Sequence, residues 1–394
     1  MPAQSQVAGN RPDAASLIRP RMPELDTLRG LAVLGVVFLH GFYWPYSGLS
    51  FGKWATRFLL LTQPGWLGVN LFFVLSGFLI TGILLDSKNK PNFYPRFYTR
   101  RALRILPAYY LLLVLLLLLH SSSPAFVGLS FLYLANVTNF FGVACSYGPL
   151  WSLAVEEHFY IIWPLIVRNV TNRMLAWASV LIVVFVPVAR LIAFSRGDRF
   201  GLDWYTWFVA DGLALGAVLA IVLRHGIARI RAMQLCGTLL GCSFLAAAAG
   251  APFGIETRNR LLGAGFQLSV VNLFFAGLLL AFLLAGSGSS KKYVNLRALQ
   301  FFGYISYGLY LDHLLAFRMY DRLCRNYCPD LLPSSGHFEL ALLRFTVAGG
   351  AAIGIAYLSR RFFEERFLRL KESLSWDRSA ESTTVVANPS TQAA

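Results

Sequence analysis

The 394-residue sequence is poor in acid, in cysteine and in polar stretches long enough to build a soluble domain. It carries 19 Asp and Glu against 35 Lys and Arg, and charged residues make up only 14% of the chain. With 56% hydrophobic residues and a mean hydropathy of +0.56, it is too apolar for a soluble globular protein. Five scattered cysteines exclude a disulfide framework. A single bond involving Cys145, Cys324 or Cys328 stays open. No Gly-x-Ser-x-Gly element is present, so a serine-hydrolase elbow has no basis. No repeated half is visible, which weighs against an inverted-repeat transporter. No small-residue cleavage site follows the first apolar run, so that run reads as a retained span rather than a signal peptide. No spacing of His and Cys calls for a metal. The net charge of +16 lies between apolar runs, where it sets topology, and gives no reason to expect nucleic acid.

What is present is a series of long apolar runs. Ten spans are expected, at 25–44, 66–85, 101–119, 150–167, 174–194, 205–223, 234–251, 262–284, 298–317 and 339–359. The fold class is an all-α, polytopic membrane helical bundle of about ten transmembrane helices. A polar arm at 1–22 and a tail at 372–394 lack apolar periodicity and read as disordered, flanking a membrane domain at 23–371. Ten spans put both termini on one side. That side collects 23 Lys and Arg and the other side 9, as expected if the shared side is the cytoplasm of a cell whose inner membrane holds the chain. The loop 120–149 has no Lys or Arg. Within it, 124–141 is apolar but short, and is expected to lie on the bilayer or dip into it.

The first span, from Asp26 to His40, organises the rest. Arg29 and His40 are eleven residues apart, which is about three turns plus 20° of helix, so they share a face. An ionisable pair in a span marks a functional path by default. The simpler reading is a snorkelling Arg29 and an interfacial His40 beside Tyr43 and Trp44.

Later spans carry further polar clusters. Asn70 and Ser76 sit in a glycine-bearing span and can line a cavity or serve packing. Arg101 and Arg104 share a face at the mouth of the third span, which suits a polyphosphate or anionic lipid. Ser152, Glu156 and Tyr160 share a face four residues apart. Glu156, Glu157 and His158 cannot all face one cavity, because adjacent helix positions diverge by about 100°. Glu156 is a functional carboxylate or half of a structural ion pair, with Glu157 able to exchange roles. Asp211 lies inside an apolar run and needs a partner. Ser306, Tyr310 and His313 form a polar stripe. Glu364 belongs to a charged exit, either a solvated helix end or a gate.

Taken in order, these stretches resemble the acyltransferase family 3 membrane proteins, which O-acylate bacterial surface glycans and related acceptors. The resemblance rests on Arg29 with His40, the segment 72–81, Arg101 with Arg104, the segment 151–160, Ser306-Tyr307 with Tyr310 and His313, and Phe363-Glu364. It runs from about residue 22 to 370. Two positions depart from the pattern: Val209 stands where a basic residue usually precedes the aspartate, and Arg366 stands where proline usually follows the last motif.

The resemblance implies an enzyme that transfers acyl groups other than amino-acyl groups. Acyl-CoA, in the first instance acetyl-CoA, is the donor, and a hydroxyl of a cell-surface or periplasmic glycan is the acceptor. No metal is required. Its partners are then the donor, the glycan and the lipid bilayer. Arg29, Arg101 and Arg104 would hold the donor, and His40, Glu156 and Tyr310 would carry catalysis. Asp26, Asn70, Ser76, Ser152, Glu157, Asp211, Ser306, His313 and Glu364 would support them. The alternative is a multi-pass transporter relaying protons through Glu156, Asp211 and His40.

Overall fold

A computed structural model describes residues 17–373, and these residues form helices joined by short loops, with no strand among them. Chains of apolar residues have no water to satisfy their backbone groups in a bilayer, so each run closes its hydrogen bonds within a helix. Ten long helices result: α1 Pro23–Tyr46, α2 Lys53–Ser87, α3 Phe93–Leu118, α4 Leu150–Asn169, α5 Asn172–Ser195, α6 Thr206–Arg224, α7 Arg229–Phe253, α8 Leu261–Gly286, α9 Arg297–Tyr327 and α10 Phe338–Leu370. All except α9 are long and apolar enough to cross a membrane. The span expected at 298–317 lies inside α9, whose 31 residues include Asp312, His313, Arg318, Asp321, Arg322 and Arg325. Its polarity reflects what it faces, since Ser306, Tyr310 and His313 are buried in protein. Large apolar side chains such as Trp177, Phe185, Phe244 and Leu245 stand exposed on α5 and α7, the surface that lipid would cover.

Of the arm expected at 1–22, residues 1–16 lie outside the described residues. Leu17 is buried, and Arg19 bonds both Glu24 and the Gly286 carbonyl. At the other end a helical turn continues as Glu365–Ser373, and the rest of the expected tail lies outside the described residues. The segment 124–141 forms two short helices, Pro124–Phe131 and Thr138–Phe141, with Phe131, Leu132, Phe140 and Phe141 exposed. Ser123 caps the first, accepting from the Phe126 N–H at 3.3 Å.

The α1–α9 contact positions the site. A Cβ on Gly30 would lie 1.9 Å from the Leu299 carbonyl oxygen, and one on Gly303 would lie 2.0 Å from that of Asp26. Only glycine allows so close an approach of two backbones. Val33, Val36 and Val37 then pack with Ile305, Leu309 and Phe317. Near its far end α1 loosens into a π turn at Leu39–Tyr43, which contains His40. Such bulges re-aim side chains and are frequent at functional sites. Arg344 on α10 holds this one: it donates to the Gly41 carbonyl at 3.2 Å and pairs with Asp321 at 2.6 and 2.9 Å.

Candidate active site

Three cavities follow one another through the bundle. The first, of about 460 Å³, opens at the end that carries the 120–149 loop. His40, Asn70, Tyr310 and the rings of Trp44, Trp66, Trp151 and Trp204 line it, with Asn136, Asn139, Asp203 and Arg258 around its rim. The second, of about 110 Å³, is lined by Arg29, Ser76, Arg101, Arg104, Ser152, Glu156, Glu157, Tyr160, Ser306 and Tyr310. The third, of about 330 Å³, is a basic mouth that includes Lys90, Arg96, Arg100, Arg101 and Arg104. Val69, Phe73 and Tyr310 belong to both the first and second cavities, and Arg101 and Arg104 to both the second and third. The cavities therefore line up from an arginine-lined end to His40, with Tyr310 at the partition between the first and second.

The π turn aims His40 across to α9. Its Nδ1 lies 3.0 Å from the Val36 carbonyl and 3.0 Å from Nε2 of His313, and its ring meets Trp44 edge-on at 4.6 Å. Arg29 shares the α1 face with His40 as the spacing requires, but it opens into the second cavity and pairs with Asp26 at 2.8 Å. Arg29 and His40 thus line neighbouring chambers.

In the second chamber Ser76 donates to Glu156 Oε1 at 3.0 Å, and Tyr160 donates to Oε2 at 2.9 Å. The Arg101 guanidinium lies over the Tyr160 ring at 5.0 Å. Among the described residues no hydrogen bond or ion pair holds Arg104. Three guanidinium groups face two carboxylates here, so the chamber suits an anionic guest. Ser152 donates to the Pro149 carbonyl at 3.2 Å, which leaves its oxygen to accept from Tyr310 at 2.5 Å. Ser306 turns back on the Gly303 carbonyl at 2.8 Å.

Several expectations change in detail. Glu156 and Glu157 both line the second chamber, because that chamber wraps round more than one face of α4. His158 alone turns away, to Thr206 at 2.7 Å, and Asn136 donates to the same hydroxyl at 2.9 Å. Asn70 reaches the first cavity and donates to Asn272 at 2.9 Å. Asp211 lines none of the three cavities. It is buried with Arg190 of α5, at 3.0 Å, and accepts from Ser269 at 2.6 Å. Arg190 is thus the partner that Asp211 needed inside an apolar run. Glu364 is buried against Arg360 at 3.3 Å, outside the chambers. All five cysteines are free, so no bond joins Cys324 to Cys328.

Arg190, Asn272, Arg344 and the tryptophan wall escaped the sequence reading. Arg190 and Arg344 had a signal, an arginine in an apolar run with no partner nearby in sequence. Asn272 and the tryptophans had none, because they come together only through packing.

A polytopic helical bundle with a basic chamber behind a histidine-bearing cavity has the parts a membrane group-transferase needs. The family model described as an acyltransferase domain matches residues 22–361, and the chain belongs to that family. It is 31% identical over 331 residues to YrhL of Bacillus subtilis (strain 168), which is assigned but not proven as a peptidoglycan O-acetyltransferase. The match covers 74% of this chain and 48% of that protein. Peptidoglycan O-acetyltransferase OatA of Listeria monocytogenes is 28% identical over 341 residues, 75% of this chain and 49% of the relative. The O-acetyltransferase OatA of Staphylococcus aureus (strain NCTC 8325 / PS 47) is 24% identical over 322 residues, 74% and 50% respectively. The chain thus spans about half the length of the curated relatives it matches. No solved structure matches it.

Proposed function

We propose that the chain is a membrane O-acyltransferase that moves an acyl group, acetyl in the simplest case, from acyl-CoA to a hydroxyl of a glycan. The observation that carries this reading is the junction at Tyr310 of an arginine-lined chamber and a histidine-bearing one. Arg101 and Arg104 are shared with the basic mouth, where they would grip the donor's phosphates in two-pronged fashion. Arg29 would add charge deeper in. The positive-charge bias supports a position for this end on the cytoplasmic side of the inner membrane, where acyl-CoA is made, with both termini on that side.

The thioester would then extend toward Tyr310. In the first cavity, aromatic walls and amide side chains suit a sugar, whose ring faces stack and whose hydroxyls need partners. The acceptor class follows the relatives, two of which are named for peptidoglycan. His40 takes the acceptor hydroxyl proton as its oxygen attacks the thioester carbonyl. The Tyr310 O–H re-aims from Ser152 to the developing oxyanion. The C–S bond then breaks, and the CoA thiolate leaves with its electron pair and recovers a proton from the imidazolium or solvent. Glu156, held by Ser76 and Tyr160, tempers the positive chamber. The proton-relay transporter reading has family membership against it.

The test is transfer of labelled acetyl from acetyl-CoA to a peptidoglycan oligosaccharide by the full chain in nanodiscs. His40→Ala should abolish transfer. Wild-type rate in that variant would end the assignment.

A further inference from the structure

Two imidazoles meet beside the first cavity, and the acceptors around each ring decide which of its nitrogens carries hydrogen. His40 Nδ1 lies 3.0 Å from the Val36 carbonyl, and His313 Nδ1 lies 2.8 Å from the Leu309 carbonyl. A carbonyl can only accept, so both Nδ1 atoms are protonated. A neutral imidazole protonated at Nδ1 has a bare Nε2. His313 Nε2 stands 3.0 Å from His40 Nδ1, so His313 accepts and His40 donates, sharing its N–H between His313 and Val36. That leaves the lone pair on His40 Nε2, which has no hydrogen-bond partner among the described residues. His40 itself lines the cavity.

We propose that His313 is a positioning residue that holds His40 in the tautomer whose Nε2 is basic. The proposal rests on the reading of His40 as the base. His313 lines neither chamber and is fully buried, so it acts only through His40. The hydroxyl proton arrives at His40 Nε2 while Nδ1–H stays on His40 throughout. His313 therefore never carries charge, which suits a site so shielded from water. The place that a carboxylate often takes behind a histidine is filled here by a neutral ring.

The experiment uses the full chain in nanodiscs with its histidine rings labelled with nitrogen-15. His40 signals are assigned by their loss in His40→Ala. The wild type should show His40 protonated at Nδ1 and bare at Nε2. His313→Phe leaves only the Val36 carbonyl, one acceptor instead of two, to favour Nδ1–H on His40; it should give a mixture of His40 tautomers and lower kcat by about 10–100-fold, with the KM values for acetyl-CoA and oligosaccharide unchanged. His313→Gln, whose amide oxygen accepts in place of Nε2, should restore most of kcat. A wild-type His40 protonated at Nε2, or an unchanged tautomer and kcat in His313→Phe, would overturn the proposal. Should His313→Phe not fold, the wild-type spectrum and His313→Gln still decide it. Full activity of His40→Ala would sink the base assignment alone, since the ring spectrum reads the pairing independently of turnover.

Discussion

Replacing Arg104 by alanine removes the guanidinium that stands in both the second chamber and the basic mouth. No described residue bonds it, so its loss leaves no protein partner orphaned, and the effect should fall on the donor. A charge-assisted bond to a phosphate contributes about 1.5–3 kcal/mol. At about 1.4 kcal/mol per tenfold, the KM for acetyl-CoA should rise about 10–150-fold while the KM for the oligosaccharide stays put. Arg104→Lys should recover only part of this, because an ammonium is a point charge without the two-pronged geometry. Arg101→Ala should cost more than donor affinity, since it also uncovers the Tyr160 ring and leaves Glu156 less compensated. Steady-state kinetics in nanodiscs separate the cases. An acetyl-CoA KM for Arg104→Ala within about twofold of the wild type would refute the assignment of the mouth to the donor.

Other predictions follow from the packing. Asp211→Ala strands a fully buried guanidinium and should lower stability by about 3–5 kcal/mol, whereas Arg190→Met with Asp211→Leu should recover most of that, both read by thermal unfolding. Gly303→Ala drives a Cβ to 2.0 Å from the Asp26 carbonyl oxygen and should cost at least about 1–3 kcal/mol, with activity falling further as α1 and α9 part. Arg344→Met releases Asp321 and the Gly41 carbonyl; the π turn should loosen and kcat should fall while acetyl-CoA affinity holds, measured by direct binding.

The spans were legible because a bilayer leaves the backbone no alternative to helix, and the apolar runs are long. The polar residues of the site were legible one helix at a time: Arg29 with His40, Ser152 with Glu156 and Tyr160, and Ser306 with Tyr310 and His313 each share a face. What a face cannot reveal is the neighbour across from it. The structure joins Glu156 to Ser76 and gives His40 to His313, pairings that no single helix announces. Asp211 called for a cation, and the cation came from the preceding span instead of from the position of Val209. Positions 156–158 diverge as a helix requires: Glu156 and Glu157 share the second chamber, and His158 leaves it for Thr206. The π turn was invisible because nothing in residues 39–43 forbids an ordinary helix; the constraint comes from Arg344, some three hundred residues on.

The most direct measurement uses sealed proteoliposomes with the glycan oligosaccharide enclosed and labelled acetyl-CoA outside. Vesicles whose chain presents its arginine end outward should acetylate the enclosed glycan, and those carrying His40→Ala should not. Label appearing only on glycan placed on the same side as acetyl-CoA would contradict a path that joins the two chambers through Tyr310.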